Sequence, residues 1–129
     1  MPHARTLKIL IVDDQLSMRG LTRHGLEQIG IIDVTEAKDG PDALTKLKGC
    51  RFDLIISDWN MGEMTGLDLL KTVRSNPLTK NTPFVMATGE ADKGQVMSAV
   101  QAGVNNYIVK PFSVATLKDK LEAVLGKLQ

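Results

Sequence analysis

Residues 7–14 read Leu-Lys-Ile-Leu-Ile-Val-Asp-Asp, and residues 52–58 read Phe-Asp-Leu-Ile-Ile-Ser-Asp. Each is a short run rich in branched aliphatic side chains that stops on a carboxylate. Neither shows the strict alternation of a strand with one wet face, so Leu7–Val12 and Phe52–Ser57 are expected to be strands covered on both sides. Phe84–Ala87 and Tyr107–Val109 read as two further strands, and Asp33–Ala37 as a weaker one. Between them apolar residues recur at helical spacing: Met18, Leu21, Leu26 and Ile29; Ala43, Leu44 and Leu47; Leu67, Leu70 and Val73; Val96, Ala99 and Val100; and Val114, Leu117, Leu121, Val124 and Leu128. Gly30, Gly40-Pro41, Gly49, Asn76-Pro77 and Gly103 punctuate these segments where helices should begin or end.

Strict alternation of five strands with five helices predicts a doubly wound α/β domain, because right-handed crossovers lay helices on both faces of a parallel sheet. The length of 129 residues suits one domain over 1–129, with roughly residues 1–6 as a flexible start. Apolar residues make up 43% and charged residues 24%, the balance of a folded globular chain. The net charge of +1 supplies no global field toward nucleic acid or an anionic membrane. The single cysteine, Cys50, has no internal partner, the first residues carry no signal-peptide core, and no apolar run is long enough to span a bilayer. A cytoplasmic address, no membrane insertion and no direct nucleic-acid binding are therefore expected.

In such sheets ligands bind beyond the carboxyl ends of the strands, where the strand order reverses. At those ends stand Asp13 and Asp14 after the first strand, Asp58 after the third, Thr88 after the fourth and Lys110 after the fifth. Any one of them could simply be the polar residue that ends a strand. As a set they place three carboxylates in one crevice, where either their pKa values rise or a cation neutralises them. A metal is the easier solution, and oxygen donors without His3, His24 or Cys50 nearby favour a hard ion, Mg²⁺ first, over zinc. Lys110 and Thr88 would suit the remaining oxygens of a phosphoryl group bound at Asp58. Gly89 is expected to leave the approach to Asp58 open. Trp59, Met61 and Met64 read first as packing.

The stretches VDDQLSMR (12–19), EAKDGPDALTKL (36–47), DLIISDWNM (53–61), GLDLLKTVR (66–74), VQAG (100–103) and YIVKPFSVATLKDKL (107–121) together resemble the receiver domains of two-component response regulators, and their chemotaxis members most closely. The resemblance implies a flavodoxin-like sheet of order 2-1-3-4-5. It implies that Asp58 is phosphorylated by a histidine kinase. It also implies that Asp13, Asp14, Asp58 and the Asn60 carbonyl share Mg²⁺, Asp14 directly, and that Lys110 pairs with the phosphoryl group. Thr88 and Tyr107 would be the switch, Asn60 and Glu90 would tune the lifetime of the phosphoryl group, and Lys110-Pro111 would be a cis peptide.

The partners implied are that kinase and a flagellar motor switch protein bound through the fourth helix, fifth strand and fifth helix, with a phosphatase also conceivable. The chain is expected to act as a monomeric switch without a further output domain. It would catalyse only its own phosphoryl transfer and dephosphorylation. A phosphoryl carrier or sink with a non-motor target uses the same chemistry. A flavodoxin-like small-ligand binder is the distant alternative, disfavoured because Asp13 and Asp14 would repel a phosphate without a metal. One departure from the family stands out: Met61 is followed by Gly62 where proline is usual, which is expected to leave the Asn60 carbonyl less preorganised for Mg²⁺.

Overall fold

The computed structural model describes residues 3–89 and 93–129. Its strands are β1 (Lys8–Val12), β2 (Asp33–Ala37), β3 (Leu54–Asp58), β4 (Phe84–Thr88) and β5 (Asn106–Val109); its helices are α1 (Leu16–Ile29), α2 (Gly40–Gly49), α3 (Gly66–Ser75), α4 (Lys93–Gln101) and α5 (Val114–Leu125), and a 3-10 turn covers Ala4–Thr6. All pairings are parallel, in the order β2-β1-β3-β4-β5, as the resemblance implied. The chain winds outward from β1 in both directions, so the crevice between β1 and β3 is the point where the order reverses.

Alternation along the strands sorts the core into two layers. Leu10, Val12, Ile55, Phe84 and Met86 face α2, α3 and α4 through Ala43, Leu69, Leu70, Val73 and Ala99. Ile9, Ile11, Leu54, Ile56, Val85, Ala87 and Ile108 face α1 and α5 through Leu26, Leu117 and Leu121. Each fully buried Leu or Ile contributes about 1.5–3 kcal/mol by leaving water, which holds both faces of the sheet closed and leaves only its edges for function.

Local chemistry sets the ends of the helices. Asp39 caps α2 by accepting the Asp42 amide at 2.8 Å, with Pro41 in the first turn. Thr65 and Asp68 exchange side-chain to backbone bonds at 3.1 Å in a capping box that starts α3. Ser113 caps α5, and Gly30 ends α1 at φ 102°, the left-handed conformation that glycine adopts most readily.

Three expectations shift. The third strand begins at Leu54 rather than Phe52, because the Asp53 carboxylate takes the Lys8 amide at 2.8 Å and closes that edge. At the opposite end of the sheet, Asp58 and Thr88 are the last residues of their strands, not the first beyond them. On α1, Leu21 is 64% exposed and the buried face is instead Thr22, Gly25 and Leu26. Thr22 is acceptable there because its hydroxyl donates to the Met18 carbonyl at 3.1 Å, and Gly25 lets Leu117 of α5 approach closely. At the start of the chain Ala4 is buried and its amide donates to the Gln129 carbonyl at 3.0 Å, while His3, Arg5 and Thr6 are exposed; Met1 and Pro2 lie outside the described residues.

Candidate functional site

Where each strand ends, the neighbouring strand catches the next amide. Asp13 donates its amide to Ala37 at 3.1 Å, Trp59 to Ala87 at 3.1 Å and Lys110 to Thr88 at 2.7 Å. These bonds extend the ladder one step beyond the sheet and fix the Cα positions from which Asp13, Asp58 and Lys110 project. The side chains then converge. Lys110 Nζ lies 3.3 Å from Asp13 Oδ2 and 3.1 Å from Asp58 Oδ1. Asp13 Oδ1 accepts the Gln15 amide at 2.9 Å, and Asp58 Oδ1 accepts the Trp59 amide at 2.8 Å.

Asp13, Asp14 and Asp58 each bring a carboxylate oxygen within 4.8 Å of the other two, with Asp13 buried, Asp58 half-buried and Asp14 exposed. Among the described residues Lys110 pairs with two of these three carboxylates, Asp13 and Asp58, so negative charge remains in excess there. The Asp58 carboxyl is pushed above its usual range, chiefly by burial and further by the Asp13 charge, against the opposing pull of Lys110 and the Trp59 amide. A divalent cation would relieve this imbalance, and the all-oxygen donor set suits a hard ion. No other group of three His, Cys, Asp or Glu side chains converges among the described residues.

The remaining expected residues fall around this centre. Thr88 is buried at the end of β4. Tyr107 of β5 is half-buried, its ring 5.0 Å from Lys120 Nζ, and it borders a small space shared with Trp59, Met86, Thr88, Val96, Ala99 and Val104. Trp59 and Met61 pack into the core and Met64 packs against it. Asn60 is exposed in the loop after β3. Gly89 is exposed, and a Cβ on it would meet nothing within 4 Å, so only a side chain larger than alanine could obstruct the approach. Glu90 lies outside the described residues. The Lys110-Pro111 peptide is cis, as the resemblance implied.

Gly62 adopts φ +81° with open space around its Cα. Proline, locked near −65°, cannot take that conformation, so Gly62→Pro would rebuild the loop rather than merely stiffen it. Gly62→Ala isolates the backbone effect: it should cost about 1–2 kcal/mol, the penalty for a side chain in the left-handed region, measured as a lower urea midpoint. An unchanged midpoint would mean that the loop relaxes freely.

Two contributors escaped the sequence reading. Gly66 begins α3 directly against the Asp58 carbonyl. Arg19 reaches the carbonyl of Asp13 at 2.7 Å. The Thr65-x-x-Asp68 pattern before an apolar run is a capping-box signal that could have located the helix start at Gly66, though not what lies beneath it.

The comparisons agree with this geometry. Residues 9–122 match the family profile of the response regulator receiver domain. The chain is 47% identical over 124 residues to the chemotaxis protein CheY-3 of Vibrio cholerae, covering 96% of this chain and 95% of that protein. It superposes with a TM-score of 0.85 and 40% identity on the chemotaxis response regulator CheY4 of Vibrio cholerae, covering 92% and 98% of the two chains. It also superposes with a TM-score of 0.84 and 27% identity on the receiver domain of a sensor histidine kinase of Pseudomonas aeruginosa, solved with a magnesium ion coordinated in its active site cleft, covering 94% and 98%. A parallel sheet ordered 2-1-3-4-5, with three acids and a lysine at its point of reversal, thus accompanies a profile match over most of the sequence, and the chain belongs to the response regulator receiver domain family.

Proposed function

We propose that the chain is a chemotaxis signalling switch in which Asp58 accepts a phosphoryl group from a histidine kinase, with Asp13, Asp14 and the Asn60 carbonyl holding Mg²⁺ beside it. The observation that carries the reading is Lys110 Nζ at 3.1 Å from Asp58 Oδ1, with the carboxylates of Asp13 and Asp14 within 4.8 Å. Held by Asp13, Asp14, Asp58 and the Asn60 carbonyl, Mg²⁺ would offset the excess negative charge and supply Lewis-acid stabilisation to phosphoryl transfer. The Trp59 amide and Lys110 hold Oδ1 and so fix the plane of the nucleophilic carboxylate. Asp58 would form the bond to phosphorus as the donor's P–N bond breaks, and Lys110 and the Thr88 hydroxyl would meet the new phosphoryl oxygens.

Tyr107 would follow Thr88 inward, changing the surface of α4, β5 and α5, where Met97, Val100 and Val109 are exposed. The names of the relatives point to chemotaxis, and the resemblance to chemotaxis receivers implies a flagellar motor switch protein as the reader of that surface and a cytoplasmic place. Asn60 and Glu90 would set how long the phosphoryl group persists, and a phosphatase could act on it. The site serves signalling rather than turnover of outside substrates. A flavodoxin-like ligand role gives way to this reading, because three acids occupy the crevice that a cofactor phosphate would need.

The test is Trp59 fluorescence during Mg²⁺ titration and then acetyl phosphate addition, with intact-mass measurement of the acylphosphate. No mass gain in the presence of Mg²⁺ would reject the reading. Because Asp58 must be ionised to share a cation and its carboxyl is raised above the usual range, Mg²⁺ affinity should fall as the pH is lowered toward that raised value. Affinity that stays flat down to the ordinary aspartate range would contradict it. Binding of the phosphorylated form to a motor-switch peptide separates the switch from a phosphoryl carrier.

A further inference from the structure

Behind the carboxylates lies a polar network that the proposed chemistry does not use. Arg19, on the second turn of α1, has a side chain only 14% exposed. Its Nε lies 3.0 Å from Glu36 Oε1 on β2, and its Nη1 donates to the Asp13 carbonyl at 2.7 Å. Arg23, one helical turn further on, takes the other Glu36 oxygen at 2.8 Å and donates Nη2 to the Val34 carbonyl at 3.0 Å. Both arginines therefore staple α1 to β2, but it is Arg19 whose second bond reaches the acidic site.

That bond closes the last polar atom of Asp13. Its amide goes to Ala37, its Oδ1 accepts Gln15, its Oδ2 faces Lys110, and its carbonyl is held by Arg19. The carbonyl shares one rigid plane with the nitrogen of Asp14, so turning it would swing the Asp14 Cα and its carboxylate. Asp14 is exposed, so burial does little to resist that swing. Glu36 in turn sets the plane of the guanidinium, whose rigid fork presents separate donors to a carboxylate and a carbonyl in one fixed plane, where an ammonium on a flexible stem has no such fixed geometry.

We propose that Arg19, oriented by Glu36, is a positioning residue that locks the Asp13–Asp14 peptide and thereby aims both carboxylates at the point they share with Asp58. This rests on reading that point as a divalent-cation site. The experiment is Mg²⁺ titration of Trp59 fluorescence, beside urea unfolding of the same metal-free proteins. Arg19→Gln should raise the Mg²⁺ dissociation constant about tenfold, the usual scale for loss of a group that orients a metal ligand. Arg19→Lys, which keeps the charge and the fold but loses the fork, should raise it nearly as much, and it carries the test if Arg19→Gln does not fold. Arg23→Gln should lose comparable stability while its dissociation constant stays within about twofold of wild type, as expected for a group outside the ligand-orienting shell. Equal Mg²⁺ affinities in the Arg19 and Arg23 variants would overturn the inference and leave the site reading intact. No Mg²⁺ response in the wild type would overturn the site reading, and this inference with it.

Discussion

Asp58→Asn should reduce phosphorylation by acetyl phosphate to background while making the metal-free protein more stable at neutral pH. The amide keeps an acceptor for the Trp59 amide at 2.8 Å and for Lys110 at 3.1 Å, so the fold around β3 is retained. What disappears is the nucleophile, since a carboxamide oxygen cannot form the acylphosphate. The stability gain follows from the raised carboxyl of Asp58, caused first by burial and resisted by Lys110. The folded protein holds this proton more tightly than the unfolded chain does. Stability from this group therefore declines as pH rises from the ordinary aspartate range through the raised value, and then levels off. Removing the charge should raise the urea midpoint above that range, and the advantage should vanish in acid. Intact-mass spectrometry and urea titrations at two pH values check both halves. A phosphorylated Asp58→Asn protein would move the acceptor elsewhere, and an unchanged or lower midpoint at neutral pH would mean that Lys110 outweighs burial.

Gly66→Ala should be among the most damaging conservative changes in the chain. A Cβ there would collide with the Asp58 carbonyl oxygen and lie 2.7 Å from Met86 Sδ and 3.1 Å from the Asp58 carbonyl carbon. The Gly66 amide already donates to Trp59 at 2.8 Å, so α3 is bound to the loop leaving β3 and cannot back away. Overpacking of this kind costs about 1–3 kcal/mol, and here the obstacle is backbone, which places the expected loss at the upper end. The displaced backbone is that of Asp58 itself, so Mg²⁺ affinity should fall together with the urea midpoint. Gly40→Ala is the informative comparison, because the three atoms nearest its Cβ all belong to the side chain of Met64 rather than to backbone, and the Met64 sulfur can turn aside even though the Met64 Cβ, at 3.0 Å, cannot. If Gly66→Ala proves as stable as Gly40→Ala, α3 is far less constrained than these contacts require.

Leu7–Val12 and Phe52–Ser57 announced the sheet because strands covered on both faces need apolar residues at nearly every position, and that demand is visible in a linear string. Asp13, Asp14, Asp58, Thr88 and Lys110 were legible as a set for a related reason: in a parallel sheet every strand ends at the same edge, so strand ends that are far apart in sequence become neighbours. The face of α1 was read less well. Leu21 fits the helical period yet is 64% exposed, while Thr22 and Gly25 are buried. Period alone does not reveal that a threonine can satisfy its hydroxyl on its own helix or that a glycine admits Leu117 from α5.

By itself, then, the order of residues determined the α/β class, the five strands and the residues brought to one edge, since these depend on local period and on crossovers of one hand. Tertiary structure alone decided how that edge is organised: that Lys110 stands between Asp13 and Asp58, that Gly66 lies on the Asp58 carbonyl and that Arg19 and Glu36 hold the peptide between Asp13 and Asp14. Lys110 meets Asp13 from 97 residues away, while the contacts of Arg19, Glu36 and Gly66 depend on side-chain direction or on the path of the loop after β3. Packing and charge settle such contacts only once both helix layers have closed on the sheet.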